Sequence, residues 1–266
     1  MGTTPLARED TLIDSRAFDR FWASARSPKV EPSVEPLLKR IPVSVVIPVY
    51  NEADTIGQVI ERVLRCGLDI EIIVVDDGST DGTREFLKTY SHPRVEVIYH
   101  EKNAGKGAAL RSGFRVASRP YVFVQDADLE YDPNDFAFML PPLVDGRADM
   151  VYGSRFLGGP QRVPFFWHYV GNRLLTLLSN MVTNLNLSDM EPGQKAFVRE
   201  KLMRLKLTAD RFTFEPEITV KAARAQWRVY EVPISYSGRT YQEGKKIGWR
   251  DAIAALFAIV YYRFVD

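Results

Sequence analysis

The sequence predicts an α/β fold in which a mostly parallel β-sheet is flanked by helices. Runs of apolar, β-branched residues alternate with amphipathic helical patterns through residues 43–155. This alternation is typical of parallel sheets with helices on both faces. Several of the apolar runs are also continuous, which indicates strands that are covered on both sides.

The composition supports one large globular domain and excludes several classes of protein. The chain has 266 residues, of which 45% are hydrophobic, and its formal net charge of +1 gives no global field that would favour nucleic acid. The only cysteine, Cys66, excludes an internal disulfide and fits a reducing compartment. The three histidines are scattered without metal-ligand spacing, which argues against a zinc site.

The front half of the domain predicts three strands and two helices. "VSVVIPVY" (43–50) is a continuous β-branched run and predicts a buried strand. "ADTIGQVIERVLRCG" (53–67) places apolar side chains on one helical face and ends in a glycine that can stop a helix. "EIIVVDDGST" (71–80) predicts the second strand, a helix follows from about Gly82, and "RVEVIYH" (94–100) predicts the third strand.

The pattern continues to residue 155 and then changes. "NAGKGAALRSGFRVAS" (103–118) predicts a loop that opens into a helix, and "YVFVQ" and "DMVYGS" predict the fourth and fifth strands. From Gly158 the chain is aromatic, basic and then helical up to Asn186. A β segment, "WRVYEVPISY" (227–236), and an amphipathic helix over Trp249–Phe264 complete the chain.

These patterns divide the chain into three parts. Residues 1–40 are a polar, proline-containing extension with a short helix expected near "RAFDRFWASA", residues 41–248 form the α/β domain, and residues 249–266 form the amphipathic helix. The first residues lack the apolar core of a secretory signal. The run Ala252–Tyr262 is about half the ~20 residues of a membrane span. We therefore expect a cytoplasmic protein, with any membrane attachment peripheral and at the cytoplasmic face.

Polar side chains follow four of the predicted strands. The segments are "YNEAD", "DDGSTDG", "QDADLEYD" and "GSRF". Ligands of such sheets bind outside the carboxyl ends of the strands. The sequence therefore predicts a binding site at this edge.

The acids after the fourth strand indicate a cation site. Asp126 and Asp128 share a face if the extended geometry persists, and two carboxylates about 4 Å apart repel by roughly 4 kcal/mol at an effective dielectric near 20. Oxygen ligands without histidine or cysteine fit Mg²⁺ or Mn²⁺. The alternative is a helix N-terminus decorated with acids, for which "DPNDF" is suited.

The motifs together resemble those of family 2 glycosyltransferases with the GT-A nucleotide-sugar-binding fold. The resemblance is carried by "VSVVIPVYNEADTI", "IIVVDDGSTDGT", "NAGKGAALRSGF", "DADLEYDP" and "GSRF", in this order. A dehydrogenase would need G-x-G-x-x-G after the first strand and a P-loop would need G-x-x-x-x-G-K-[ST]; neither spacing is present.

The resemblance implies roles for individual residues. Asp126 and Asp128 would form the aspartate–x–aspartate pair that handles the ribose and the metal-bound diphosphate. Asp128 and Glu130 would hold the metal ion, with Glu130 standing where relatives often carry glutamine. The residues that would bind the nucleotide sugar are Pro48, Tyr50, Glu52, Asp76, Asp77, Lys106 and Asp126.

The acceptor is indicated by the chemistry of the back half. A sugar hydroxyl needs a positioned general base, whereas a phosphate monoester, with a second pKa near ~6, is already anionic at pH 7 and needs cations. The back half resembles dolichyl- and polyprenyl-phosphate hexosyltransferases in "SDMEPGQKAF" and "SGRTYQEGKKIGWRDA". This resemblance implies that Arg155, Arg173, Lys195 and Arg239 surround phosphate groups, and that Asp189 opens a segment that closes over the sugar.

The expected activity is the metal-dependent, inverting transfer of a hexose from a nucleotide sugar to a polyprenyl or dolichyl phosphate at a membrane surface. The expected catalytic residues are Asp126, Asp128, Arg155 and Asp189. UDP-glucose and GDP-mannose both remain open as donors, since Pro192–Lys195 departs from the usual pattern, although the later segment resembles the glucosyl-type members more. The alternatives are a soluble enzyme that acts on a hydroxyl acceptor, with Glu191 or Asp189 as base, and a silent nucleotide-sugar-binding protein.

Overall fold

The computed structural model describes residues 38–158, 162, 165–239 and 249–265, and of residues 249–251 it describes the backbone alone. The helix expected near residues 16–25 lies outside these ranges. The boundaries assigned to the three parts of the chain stay predictions.

Within the described ranges, seven strands form a single sheet in the order β3-β2-β1-β4-β6-β5-β7. The strands are β1 Pro42–Val49, β2 Asp69–Asp76, β3 Val95–Tyr99, β4 Tyr121–Val124, β5 Met150–Ser154, β6 Lys195–Val198 and β7 Val229–Pro233. Strands β3, β2, β1 and β4 are parallel to one another, and β5 is parallel to β7. The prediction of a mostly parallel sheet is therefore confirmed.

Strand β6, which the sequence pattern does not predict, runs antiparallel to both β4 and β5. Its four residues, "KAFV", begin with a lysine and are too short to show a strand period. Lys195 is tolerated in the sheet interior because Glu215 neutralises its charge, a partner that no local pattern reveals.

The helices cover both faces of the sheet. They are α1 Ile56–Leu64, α2 Thr83–Thr89, α3 Lys106–Val116, α4 Phe136–Met139, α5 Pro141–Val144, α6 Phe166–Thr183, α7 Arg199–Arg204, α8 Phe214–Arg224 and α9 Trp249–Phe264, with a 3₁₀ turn at Pro133–Asp135. The predicted bounds of α9 are confirmed, and α1 lies within the predicted segment 53–67 but is three residues shorter at each end.

Alternate side chains of the strands feed two separate hydrophobic clusters. In β1, Val46 belongs to the cluster that includes residues of α3, α8 and α9, whereas Val45 and Ile47 belong to the cluster that includes residues of α1 and α4. A Cβ at Gly113 of α3 would lie 2.3 Å from a Val46 methyl carbon, so a glycine is needed for this helix to approach the sheet. Strand β1 is thus packed against helices on both faces of the sheet.

Helix α9 divides its apolar residues between the core and the surface. Ala255, Ala258, Ile259 and Tyr262 are buried, while the other apolar residues of the helix are exposed, namely Ile253, Leu256, Phe257, Val260, Tyr261 and Phe264. The spacing of this exposed stripe allows either packing on the sheet or contact with a membrane surface, and packing on the sheet is not observed. Helix α9 instead packs against α6 and α8. No helix in the described part of the chain is both long and apolar enough to cross a membrane.

Candidate active site

The loops after β1 and β2 brace one another at the carboxyl edge of the sheet. Asn51, which follows Tyr50 and has a left-handed φ of 52°, donates its backbone N–H to the Ser79 hydroxyl at 3.0 Å and accepts from the Thr80 N–H at 2.8 Å. Glu52 N–H donates to the Thr83 hydroxyl at 2.9 Å. These hydrogen bonds fix the backbone that carries Tyr50 and Glu52. Pro48 lies just before them, within β1.

The aspartates at the end of β2 are buried and have separate partners. Asp76 accepts a hydrogen bond from the Arg84 guanidinium at 2.5 Å. Asp77 accepts from the His100 ring at 2.7 Å and from the Gly105 N–H at 2.7 Å, which ties β2 to the loop before α3. Arg84 and His100 are not predictable from sequence, because their contacts join separate segments and no short motif marks them.

Lys106 at the start of α3 connects this loop to the end of β4. Its ammonium lies 2.8 Å from Asp126 Oδ1 and 3.4 Å from Glu215 Oε1. Burial lowers the pKa of Lys106, but the two carboxylates outweigh it and raise the pKa above its ordinary value. Lys106 is therefore a fixed positive charge beside the first acid of "DAD".

Arg239 connects the other acids. Its guanidinium makes two hydrogen bonds of 3.0 Å to Glu52 and one of 3.2 Å to Asp128 Oδ2, and its Nε lies 3.6 Å from Glu130 Oε1. The structure therefore brings together Glu52, Asp128 and Glu130, which come from the ends of β1 and β4.

In this group of acids, Asp128 is the one whose ionisation is most disfavoured. Burial, followed by repulsion from Asp126 and Glu130, raises the pKa of Asp128 to about 7, and Arg239 opposes the shift only in part. A carboxylate in this position gains from an additional cation, which supports the predicted site for a hard ion.

Glu130 has a different environment from Asp128. Its side chain accepts hydrogen bonds from the Tyr236 hydroxyl at 3.0 Å and from the Arg239 N–H at 2.7 Å, and its carbonyl accepts from Ser237 N–H at 2.9 Å. Both carboxylate oxygens thus hold the 236–239 segment against the end of β4. Its predicted role as a metal ligand stays a prediction that competes with this anchoring.

Arg155 and Asp189 form a buried bidentate pair. Two guanidinium nitrogens of Arg155 lie 2.7 and 2.8 Å from the carboxylate oxygens of Asp189. Burial raises the pKa of Asp189, but Arg155 outweighs this and holds it below its ordinary value. Asp189 is therefore a poor general base. Arg155 also lies over the Tyr236 ring at 5.2 Å, next to the Glu130 anchor.

Glu191 is a second acid in the same segment with an unusual environment. One of its carboxylate oxygens is inaccessible to solvent and has no hydrogen-bond partner in the described part of the chain. Burial, followed by repulsion from Glu215, raises the pKa of Glu191 to about 7. This position was named from sequence only as a possible base, and its environment suits that role.

The shift at Glu191 predicts a pH-dependent stability. Because its pKa in the folded protein lies above the ordinary value of 4.5, its contribution to stability is fully present below about 4.5 and is lost as the pH rises through about 7. Glu191→Gln, which cannot ionise, should raise the free energy of unfolding at pH 8 by about 1–3 kcal/mol and leave it nearly unchanged at pH 4.5. Urea unfolding at both pH values measures this.

The matched control is Glu85→Gln at an exposed position on α2, where no such difference is expected. Equal stability of wild type and Glu191→Gln at pH 8 would contradict the assigned environment.

Lys195 and Gly193 lie next to two acids of the site, Glu215 and Asp126 respectively. Lys195 is 1% exposed, and its ammonium contacts both Glu215 and the Pro192 carbonyl. Contact with an acceptor phosphate would require this pair to open, so the phosphate role of Lys195 stays a prediction that its burial disfavours. Gly193 donates its N–H to the Tyr131 hydroxyl at 2.8 Å and lies directly against Asp126.

Arg173 is the most available of the four predicted phosphate contacts. It lies on α6 and donates to the Ser188 carbonyl at 3.3 Å. Among the described residues it has no carboxylate partner, whereas Arg155, Lys195 and Arg239 each have one.

The site has more acidic than basic side chains, so a divalent ion would balance part of its negative charge. Among the described residues of the site, the acids are Glu52, Asp126, Asp128, Glu130, Asp189, Glu191 and Glu215, and the cations are Lys106, Arg155, Lys195 and Arg239. No three acids, histidines or cysteines among these described residues converge as a complete metal cage. One or two carboxylates completed by substrate phosphate oxygens is the arrangement that Mg²⁺ prefers, so the residues fit such an ion.

Comparison with solved structures identifies the fold. The chain superimposes on glucosyl-3-phosphoglycerate synthase from Mycobacterium tuberculosis, solved with Mn²⁺, UDP and glucosyl-3-phosphoglycerate, with a TM-score of 0.69. The match covers 90% of this chain and 85% of that chain at 21% identity. The fold is therefore the GT-A fold, as predicted.

Sequence comparison gives more similar relatives. Glycosyltransferase AglJ of Haloferax volcanii is 34% identical over 198 residues, which cover 74% of this chain and 63% of AglJ. Polyprenol monophosphomannose synthase of Mycolicibacterium smegmatis is 31% identical over 214 residues, which cover 77% of this chain and 80% of that protein. The aligned region thus spans less than two thirds of AglJ. Residues 44–206 match the family model described as glycosyl transferase family 2. The chain belongs to glycosyltransferase family 2.

Proposed function

We propose that this protein transfers a hexose, with inversion, from a nucleotide sugar to a polyprenyl phosphate with the help of Mg²⁺ or Mn²⁺. The observation that carries the proposal is the cluster of Glu52, Asp126 and Asp128 at the strand ends, bordered by Lys106 and Arg239. Relatives named as acting on polyprenyl phosphate, such as the Mycolicibacterium enzyme, support the acceptor class.

The donor side of the site follows from the positions of the strand ends. Tyr50, Glu52 and Asp76 flank the β1 and β2 ends, where a nucleoside would lie, and Asp126 and Asp128 come next along the edge. Asp128 would hold the divalent ion, which supplies charge neutralisation for the departing diphosphate. Lys106, already paired with Asp126, adds a fixed positive charge on the same side.

The acceptor side needs cations more than a base. A lipid phosphate is largely a dianion at pH 7, with its second pKa near ~6, so no residue has to remove a proton from it. Arg173 can approach it directly. Arg155 would hold Asp189 and the segment that follows it in place, since two of its guanidinium nitrogens bond to Asp189.

A radiochemical assay tests the proposal. Purified protein, Mg²⁺ and a short polyprenyl phosphate are supplied with labelled UDP-glucose or GDP-mannose, and label is measured in the organic phase after extraction. We expect lipid-linked label with one of these donors and its loss when EDTA is added. Label that stays in the aqueous phase with both donors and a wider panel of nucleotide sugars would contradict the proposal.

Glu191 favours a second candidate function, transfer to a hydroxyl acceptor. Its unpartnered oxygen and its pKa of about 7 suit a general base at neutral pH. If a soluble alcohol is the acceptor, kcat/KM should rise with pH through about 7 and should fall by 10²–10⁴-fold in Glu191→Gln. If lipid phosphate is the acceptor, Glu191→Gln should retain most of its activity.

A membrane surface is the partner we propose for the exposed helices. Helices α6 and α9 pack against each other and expose large apolar side chains, including Trp167 at 79% and Phe257 at 69%. Residues 155–188 contain no Asp or Glu, and neither do residues 252–265, while Arg162, Arg173 and Arg263 lie in these ranges. Aromatic and basic residues without acids suit an anionic lipid interface.

This surface predicts binding to vesicles. The double variant Trp167→Glu/Phe257→Glu should lose at least about tenfold in binding to phosphatidylglycerol-containing vesicles, because two aromatic side chains no longer enter the interface. Co-sedimentation measures the bound fraction. Met203→Glu on α7, 44% exposed, is the matched control and should bind as wild type does. Equal binding of all three proteins, or a dimer that buries this surface in solution, would contradict the assignment.

A further inference from the structure

Arg239 is held by acids that come from two distant parts of the chain. Its two terminal nitrogens bond to both oxygens of Glu52 at 3.0 Å, and one of them also bonds to Asp128 at 3.2 Å. Its Nε lies 3.6 Å from Glu130 but makes no hydrogen bond within the described part of the chain, although it is buried. The side chain is 20% exposed, so it lies within the site and not over its rim.

This guanidinium and the proposed divalent ion share a ligand, the Asp128 carboxylate. Asp128 is the carboxylate best suited to the ion, and its Oδ2 is already bonded to Arg239. An ion held by Asp128 would carry a second positive charge next to the guanidinium, and the two charges would repel each other. Metal binding at Asp128 would therefore weaken the hold of this carboxylate on the Arg239 side chain.

The backbone of Arg239 can stay in place while the side chain moves. Its N–H is bonded to Glu130 at 2.7 Å, and the preceding Ser237 N–H is bonded to the Glu130 carbonyl at 2.9 Å. A long arginine side chain on a fixed backbone can exchange one anion for another within its own reach. The incoming phosphate of an acceptor is such an anion.

We propose that Arg239 is an internal counter-ion that the metal-bound donor displaces, and that its release makes the guanidinium available to the acceptor phosphate. The proposal rests on the proposed function. Before the donor binds, Arg239 neutralises Glu52 and Asp128; afterwards, the metal ion neutralises Asp128 and Arg239 binds the lipid phosphate. Donor binding thereby prepares the acceptor site, and the acceptor phosphate finds its arginine only when a donor is present.

Removing the competitor should make the metal-bound nucleotide bind more tightly. Arg239→Ala should bind Mn²⁺ with UDP more tightly than wild type, on the order of tenfold, because no hydrogen-bonded guanidinium has to be displaced. Its turnover on lipid phosphate should fall at the same time. Isothermal titration calorimetry measures the affinity directly, and no turnover is needed for that measurement.

Two further variants separate competition from general damage. Arg239→Lys keeps the charge but cannot bridge both oxygens of Glu52, so its affinity for Mn²⁺ with UDP should lie between those of wild type and the alanine variant. Arg65→Ala removes an exposed arginine that pairs with Glu61 of α1, and it should bind Mn²⁺ with UDP as wild type does. Thermal melting should show a larger stabilisation by Mn²⁺ with UDP in Arg239→Ala than in wild type.

The outcomes distinguish this proposal from the proposed function. The titrations are run with UDP and with GDP, and wild-type protein that binds neither nucleotide in the presence of Mn²⁺ would overturn both. Wild-type binding together with equal or weaker binding by Arg239→Ala would overturn the displacement alone, because Arg239 would then be neutral toward the donor or would help to hold it.

Discussion

Asp128→Asn should reduce turnover by on the order of 100-fold or more and leave the fold intact. The substitution removes one charge from the carboxylate best placed to hold a divalent ion while keeping its size. It also removes a buried charge and its repulsion from Asp126 and Glu130; burial first, and then this repulsion, raise the pKa of Asp128. We therefore expect a Tm no lower than that of wild type, measured without metal, together with loss of lipid-linked product.

Asp145→Asn provides the control for this prediction. Asp145 follows α5 and pairs with Arg147 at the surface, so its loss should change neither turnover nor Tm appreciably. Turnover by Asp128→Asn within a few-fold of wild type would show that the second acid of "DAD" does not serve the reaction.

Gly193→Ala should reduce turnover nearly as much as Asp128→Asn does, because it displaces side chains of the site without changing their charge. A Cβ at this residue would lie 2.0 Å from Asp126 Oδ2 and 2.8 Å from Tyr131 Cε2, so Asp126 or the backbone must shift. A displacement of about 1 Å at a reacting centre can lower the rate by about 100-fold. We expect kcat/KM to fall by about that factor and the free energy of unfolding to fall by about 1–3 kcal/mol.

Gly171→Ala in α6 is the matched control, because an added Cβ there meets no atom within 4 Å. It should stabilise the helix by roughly 0.8–1 kcal/mol through propensity alone. Full activity in Gly193→Ala would mean that Asp126 tolerates displacement and has no fixed role.

The parts of the fold that depend on local pattern were predictable. Strand β1 and helix α1 each show one clear period, and both are observed where the pattern predicts them. Strand β6 was missed because its burial depends on the Lys195–Glu215 pair, which joins residues twenty positions apart in sequence. The buried face of α9 was not predictable because both faces of this helix are apolar, and only the tertiary structure shows that Ala255, Ala258, Ile259 and Tyr262 face the core.

The sequence predicts several residues of the candidate site but not the contacts between them. The motifs place acids and cations at one edge, but they do not say which acid pairs with which cation. The pairing of Arg155 with Asp189, and of Arg239 with Glu52 and Asp128, joins segments separated by up to 187 residues. The supporting residues Arg84, His100 and Glu215 were missed for the same reason, since their importance lies in their partners and not in their neighbours in sequence.

The central claim is that a divalent ion at Asp128 holds the diphosphate of a sugar nucleotide. A crystal grown with Mn²⁺ and UDP, with data collected at the manganese absorption edge, tests it most directly. The account predicts one strong anomalous peak within bonding distance of Asp128 and the UDP phosphates, with the Arg239 guanidinium withdrawn from that carboxylate. A nucleotide bound at this edge with no peak at Asp128, or with Asp126 and Asp128 turned away from the phosphates, would contradict it.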